Sequence, residues 1–505
     1  MVNRIYGGDI IKQLVKTMAI VTVFSCVERT LGFIYRIYLS RTLGAEGVGI
    51  YQITLSVVGL LMTITASGIP ITVSRIMIKH ESQKHPNLIY KTVSAGIILA
   101  LIISIPLVLV LFLCPSIANF IFADKRCYGV LKIILPGVII TSVYAVIRGF
   151  FWGKKKFFTY SLIELLEEVV MLILGVILVN NMVNIEDGVD KAGIAVLISY
   201  IFSFITAILL FFVNGGKLSS PISELKPLVV SSSPITLMRT ATSLINTLIA
   251  IILPQRLILH GLSSSLAMAR YGELSGMSIP LIYIPSTLIG SIALVLVPEL
   301  SKNFYSNNMI TLRRNIEEAV KCSVFISCMI IPVFLSMGKE IGIMMYDNKN
   351  AGIYVQNSCL IMFPMSITMI TTSMLNSLNL ERKTLLYYMI GALFLLFSIY
   401  FLPKYFSVYS LIIGLMASYL TTAICNLTLL KKTCKTPPRY KIFILTSVLF
   451  LIPSTLLGYL LKNIMLNFLS IPFAVIFSSI VVVFFNYAFY RVFDLFDIKS
   501  LLKNN

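Results

Sequence analysis

The sequence predicts an all-α polytopic membrane protein of about 14 transmembrane helices: two pseudo-symmetric six-helix lobes followed by two further C-terminal helices. Three observations carry this. Of 505 residues, 57% are hydrophobic and 12% charged, with a mean hydropathy of +0.92, whereas a soluble chain carries about 25% charged residues. Apolar runs long enough to cross a ~30 Å hydrocarbon core recur from end to end. The chain also resembles itself at a distance of six spans.

Apolar length and charged or Pro/Gly/Asn breaks place the first six spans near 14–40, 48–74, 90–122, 128–151, 158–180 and 192–213. The next six fall near 229–253, 272–298, 319–337, 353–379, 385–402 and 408–430, and the last two near 442–461 and 468–490. Lys and Arg concentrate in alternate loops, among them "RIMIKHESQKH", "GKKKF", "NLERK" and "LKKTCKTPPRYK". By the positive-inside rule these loops are cytoplasmic, which places both termini on that side and the acidic "NIEDGVD" outside. The expected location is the bacterial cytoplasmic membrane, with the first apolar run retained as a helix, since it lacks a small-residue cleavage site.

The internal repeat pairs span n with span n+6. "ILPGVIITSVYAVIRGFFWGKKKF" overlays "MFPMSITMITTSMLNSLNLERKTL" without a gap, so Pro136 meets Pro364 and Arg148 meets Asn376. Tyr51 likewise meets Tyr271, and Arg29 meets Arg239. Six spans per unit gives both copies one orientation, related by an axis along the membrane normal. The expected organisation is an N-terminal lobe over 1–213, a cytoplasmic linker over 214–228, a C-terminal lobe over 229–434, and two additional helices with a tail over 435–505. Two such lobes are the architecture of an alternating-access transporter.

The formal charge of +20 is distributed as topology signals rather than as a nucleic-acid face. Eight Cys without a C-x-x-C pair and three His without ligand spacing give no metal site and no disulfide framework. No P-loop is present for ATP use, and no cofactor is expected.

Charges inside the spans carry the functional information, because an ionised side chain at the bilayer centre costs at least ~2.5–3.5 kcal/mol. Glu28 and Arg29 sit mid-span, and adjacent helical residues point ~100° apart, which orients them poorly as a pair. Arg36 follows Arg29 by seven residues, hence on nearly the same face and ~10.5 Å further along. Arg36 and Arg41 lie within snorkelling reach of the headgroups. Arg148, Arg239 and Arg270 complete a set of substrate-binding candidates with Arg29 and Arg36, because a guanidinium fork matches phosphate in a bidentate way. The carboxylates Glu28, Glu164, Glu167, Glu168 and Glu273 are candidates for carrying a coupling ion or for pairing with those arginines.

The stretch "RTLGFIYRIYLSRTLGAEGVGIYQ", with "ASGIPITVSR", resembles the opening of the stage V sporulation protein B family, within the multidrug, oligosaccharidyl-lipid and polysaccharide flippase superfamily. "IPSTLIGSIALVLVPELSK" is similar to an eighth-helix signature shared with lipid II flippases. The resemblance implies a MATE-like fold. It also implies outward transport of an undecaprenyl-pyrophosphate-linked saccharide, a peptidoglycan precursor for the spore cortex. Arg29 falls on a first-helix arginine that engages pyrophosphate in the lipid II flippases, and Arg270 is the nearest counterpart of their eighth-helix arginine. In the fifth span, where relatives carry Glu-Gln followed by Arg, this chain has Glu167 and Glu168 and then Met171. Expected partners are that lipid, the bilayer and the cell-wall synthesis machinery, with Na+, H+ or the membrane potential alone as the driving force. The alternatives are a cation-coupled multidrug exporter and a membrane glycosyltransferase or polymerase.

Overall fold

The computed structural model describes residues 2–434 and 440–493. The basic-loop residues 435–439 and the tail 494–505, both assigned above to the cytoplasmic side, lie outside the described residues. Every regular element among the described residues is helical. Twelve stretches among them are long and apolar enough to cross a membrane. One, Val21–Ser82, contains two spans joined at a kink and then a further helix, Ile69–Ser82, and the 23-residue helix Phe157–Val179, which carries three glutamates, is not among the twelve. Counting both accounts for the expected fourteen.

By packing, the chain forms two compact units. The first runs to Ile258 and includes Ser263–Gly272; the second holds Leu259–Leu262 and the chain from Glu273 onward. The first contains α1 (Val2–Ala66), α2 (Ile69–Ser82), α3 (Pro86–Leu113), α4 (Pro115–Ile121), α5 (Lys125–Gly153), α6 (Phe157–Val179), α7 (Ile185–Val213), nearly all of α8 (Ile222–Leu259) and α9 (Ser264–Tyr271). The hydrogen-bonded run of α1 is interrupted at Gly44, where φ is +68° and ψ −175°. A left-handed φ costs glycine little and any other residue more, so "TLGAEG" is where the first span ends and the second begins. The apolar run near 90–122 is two helices, because Pro115 opens a new one after Cys114. Side-chain oxygens of Asp124, Asn184 and Ser263 cap α5, α7 and α9.

Helix α8 begins inside the stretch predicted as a linker. Tertiary contact is the reason: Glu224, 6% exposed, meets His80 Nε2 of α2 at 3.1 Å and accepts from Thr92 Oγ1 of α3 at 3.4 Å. Local composition rich in Ser and Pro does not reveal that contact. The core of this unit joins α2, α3, α5 and α7 around Val73, Val93, Phe150 and Phe211.

The second unit contains α10 (Ile279–Tyr305), α11 (Met309–Tyr346), α12 (Lys349–Ser358), α13 (Met362–Ser377), α14 (Glu381–Phe401), α15 (Pro403–Phe406), α16 (Tyr409–Thr433), α17 (Lys441–Met465) and α18 (Ile471–Val492). Helix α11 is its axis, with 78% of its most apolar window buried against 22% for α17. Around it pack α10, α12, α13, α17 and α18. Lys462 of α17 reaches Glu340 of α11 at 3.3 Å and donates to the Ser336 carbonyl at 3.0 Å.

Candidate functional site

Within the first unit, five helices converge on a cavity of about 380 Å³. Helix α1 contributes Glu28, α5 Arg148, α6 Glu164, Glu167 and Glu168, and α8 Arg239, while α7 adds Tyr200. Three glutamates project from about one turn of α6, a helix that nevertheless packs between α1 and α7.

Arg148 Nη1 donates to Glu164 Oε1 at 2.9 Å, with the two side chains 29% and 24% exposed. The guanidinium carbon lies 5.4 Å from the Trp152 ring centroid, a cation–π distance. Arg239 Nη1 donates to the Ser67 carbonyl at 3.1 Å, which ties α8 to the end of α1. Glu168 lies against the backbone of α1: a Cβ placed on Gly32 would fall 2.8 Å from Glu168 Oε1. Glycine at that position lets the carboxylate reach the wall of the neighbouring helix.

Of the ten residues singled out from sequence, six line this cavity: Glu28, Arg148, Glu164, Glu167, Glu168 and Arg239. The other four lie elsewhere. Arg29 is exposed while its neighbour Glu28 is half-buried on the cavity, as the ~100° step between them requires. Arg36 is half-buried further along α1, and Arg270 is in the last turn of α9. Glu273 belongs to the second unit, in a π-helical turn (Gly272–Ser278) that opens α10. It is 5% exposed and accepts from Asn350 Nδ2 at 3.0 Å and Asn348 Nδ2 at 3.4 Å. Asn348 also caps α12, so Glu273 holds the turn between α11 and α12.

The electrostatic balance differs from a wall of arginines. Four carboxylates and two guanidiniums line the cavity, and both guanidiniums already have acceptors. Tyr144, Tyr200 and Ser67 also line it, and nothing in the charge pattern marks them. The one signal available was spacing, since Tyr144 precedes Arg148 by four residues and shares its face.

The acidic "NIEDGVD" segment has a local structural use. Asp187 accepts from Lys191 Nζ at 2.8 Å and from the Val183 N–H at 2.9 Å, and Asn184 caps α7. Acidic groups in a first helical turn complement the helix dipole.

Comparison with known proteins shows the family and the fold. The profile of the family described as polysaccharide biosynthesis protein matches residues 14–304. The chain belongs to that family. Among its relatives, the stage V sporulation protein B of Bacillus subtilis (strain 168) is 24% identical over 73% of this chain and 73% of its own. The lipid II flippase MurJ of the same organism is 20% identical over 89% and 88%. Among solved structures, a lipid II flippase MurJ in an inward closed conformation superposes with a TM-score of 0.73 at 14% identity, covering 94% of this chain and 99% of that one. An inward-facing multidrug resistance MATE transporter superposes at 0.66 and 14% identity, over 84% and 95%. The chain is therefore a multi-pass membrane protein with the fold of the MurJ and MATE transporters.

Proposed function

We propose that this protein is a flippase that carries an undecaprenyl-pyrophosphate-linked saccharide from the inner to the outer leaflet of the bacterial cytoplasmic membrane by alternating access. The cargo is a peptidoglycan precursor used in spore cortex synthesis. The observation that supports this reading most directly is the cavity: six ionisable side chains gathered among membrane-spanning helices. Such groups are expensive in a bilayer and are kept where a polar cargo or ion must pass. The similarity to a sporulation protein and to a lipid II flippase supports the class of cargo.

In this reading Arg29, Arg36 and Arg270 serve the pyrophosphate along the route, and Arg148 and Arg239 act from the cavity wall. A second reading, a cation-coupled exporter, is favoured by one observation, the excess of carboxylates over guanidiniums in the cavity. The same glutamates would then carry the proton or sodium ion.

The deciding experiment measures outer-leaflet accessibility of the lipid-linked precursor in sporulating cells depleted of the protein, with redundant flippases deleted. The flippase reading expects the precursor to accumulate on the inner leaflet and re-expression to restore it outside. Normal outer-leaflet appearance after depletion rules the reading out.

A further inference from the structure

Helix α8 carries Arg239 to the cavity wall, yet between Leu228 and Ile245 Ser232 is the one buried residue among the described residues. This stretch meets the end of α1 through short polar contacts. Arg239 Nη1 donates to the Ser67 carbonyl at 3.1 Å, and Thr63 Oγ1 donates to Ser243 Oγ at 3.4 Å. Gly68 has no room for a side chain against Thr236 and the Ser232 carbonyl. Val230 and Leu237 of the same stretch are 63% and 73% exposed. Pro227 and Pro234 also lie in the first half of α8, and each removes one rung of the helix's own hydrogen-bond ladder. Such contacts bring two backbones close but offer few ridges and grooves to hold one helix in register with the next.

The start of α8 supplies what this stretch lacks. The chain leaving α7 is pinned where Lys156 Nζ donates to Asn214 Oδ1 and where the Ser219 N–H donates to Ser94 Oγ of α3 at 2.9 Å. Glu224 follows in the first turn of α8, and Leu228, four residues on and so on the same face, is 0% exposed in the core with Met77 and Ile89. An acidic group suits a first helical turn at the surface, so the dipole does not account for burying this one. Its partners do: His80 Nε2 lies 3.1 Å away and Thr92 Oγ1 3.4 Å, with His80 8% and Thr92 0% exposed. A slip of α8 by one residue moves the carboxylate ~1.5 Å along the axis and ~100° around it. The pair then breaks and leaves two buried polar groups without partners, a cost that an apolar contact would not impose. Fixing register is the best-attested use of a buried polar pair.

We propose that Glu224 is a positioning residue: closed on His80, it sets the register of α8 against α1, α2 and α3 and thereby seats Arg239 on the Ser67 carbonyl. The seating stands on these contacts alone, and its bearing on transport rests on the flippase reading.

Full-length protein in phosphatidylethanolamine–phosphatidylglycerol nanodiscs is followed by hydrogen–deuterium exchange with mass spectrometry, and flipping is read in cells by outer-leaflet accessibility of the precursor. Glu224→Leu should raise exchange at least about tenfold in the first half of α8 and also around Ser67, which Glu224 does not touch. Glu224→Gln keeps an acceptor for His80 and should stay near the wild type in exchange and in flipping. Glu224→Leu should slow flipping several-fold. Circular dichroism melting separates this pattern from general unfolding; should Glu224→Leu not fold, Ser94→Ala, which removes the acceptor of the Ser219 N–H, should give the same pattern with a few-fold amplitude. Exchange that rises only around residue 224, or rises uniformly through the chain, overturns the proposal. Gln and Leu variants that behave alike also overturn it. The expected exchange pattern with undiminished flipping overturns the role in transport and leaves the seating of α8. Flipping that persists when the wild type itself is depleted refutes the flippase reading, and the exchange result stands apart from it.

Discussion

At the scale of single residues, the protein places ionisable groups where a partner lies within 3 Å or so. Arg148 leans on Glu164, and at the other end of α5 Arg126 bridges Asp124 at 2.7 Å and Glu46 at 2.6 Å. Asp124 joins two helices, since it caps α5, is bound by Arg126 of the same helix, and accepts from Ser264 Oγ of α9 at 2.8 Å. Burial pushes its carboxyl up, but hydrogen bonds from the Arg126 side chain, the Arg126 backbone and Ser264, together with the Arg126 charge, hold it below the usual carboxylate range. A folded-state value below the unfolded one adds stability that is present above the unfolded value, about 3.9, and disappears as pH falls through the folded one. Thermal unfolding followed between pH 6 and 3 should therefore show the wild type losing stability toward the acid end. Asp124→Asn should start lower and show a flatter profile there. An identical slope for both proteins would remove Asp124 from the acid response.

At the scale of elements, the two-helix extension shows how a lipid-facing pair is fixed to a lobe. Helix α17 exposes most of its surface but buries Lys462, 8% exposed, beside Glu340, 9% exposed, on α11. The Lys462 ammonium also lies 4.8 Å from the Tyr459 ring centroid. Removing one member of a buried pair strands the other charge and costs about 3–5 kcal/mol, whereas replacing both with apolar groups is often neutral. Lys462→Met is expected to lower the unfolding midpoint of the detergent-solubilised protein strongly. Adding Glu340→Leu should recover most of the loss. A double variant as unstable as the single one would show that the pair itself, rather than a stranded carboxylate, sets the docking of α17.

At the scale of the whole molecule, the proposed cargo carries negative charge outward across an inside-negative membrane. That movement gains about 2.3 kcal/mol per charge per 100 mV, which for a diphosphate biases direction without ATP. Collapsing the potential with valinomycin and potassium, at constant pH and sodium, is expected to slow outer-leaflet appearance of the precursor several-fold. A rate that ignores the potential and follows the proton or sodium gradient instead would transfer the driving role to the glutamates of α6.

The fold class was legible because membrane insertion is a local physical problem. Twenty apolar residues form a helix in lipid whatever their neighbours, and the glycine at position 44 breaks that helix wherever it is packed. The existence of a polar site was legible for the same reason, since charges such as Glu28, Arg148 and Glu168 stand out against an apolar background. Its composition was not. A guanidinium looks equally available in sequence whether it faces an open cavity or a carboxylate, and only packing put Glu164 at 2.9 Å from Arg148. Packing likewise brought the neutral Tyr144 and Ser67 to the cavity wall. The sequence by itself determined a helical membrane protein with ionisable groups inside it. Tertiary structure decided which of those groups meet, because contact between distant helices is a property of the packed chain.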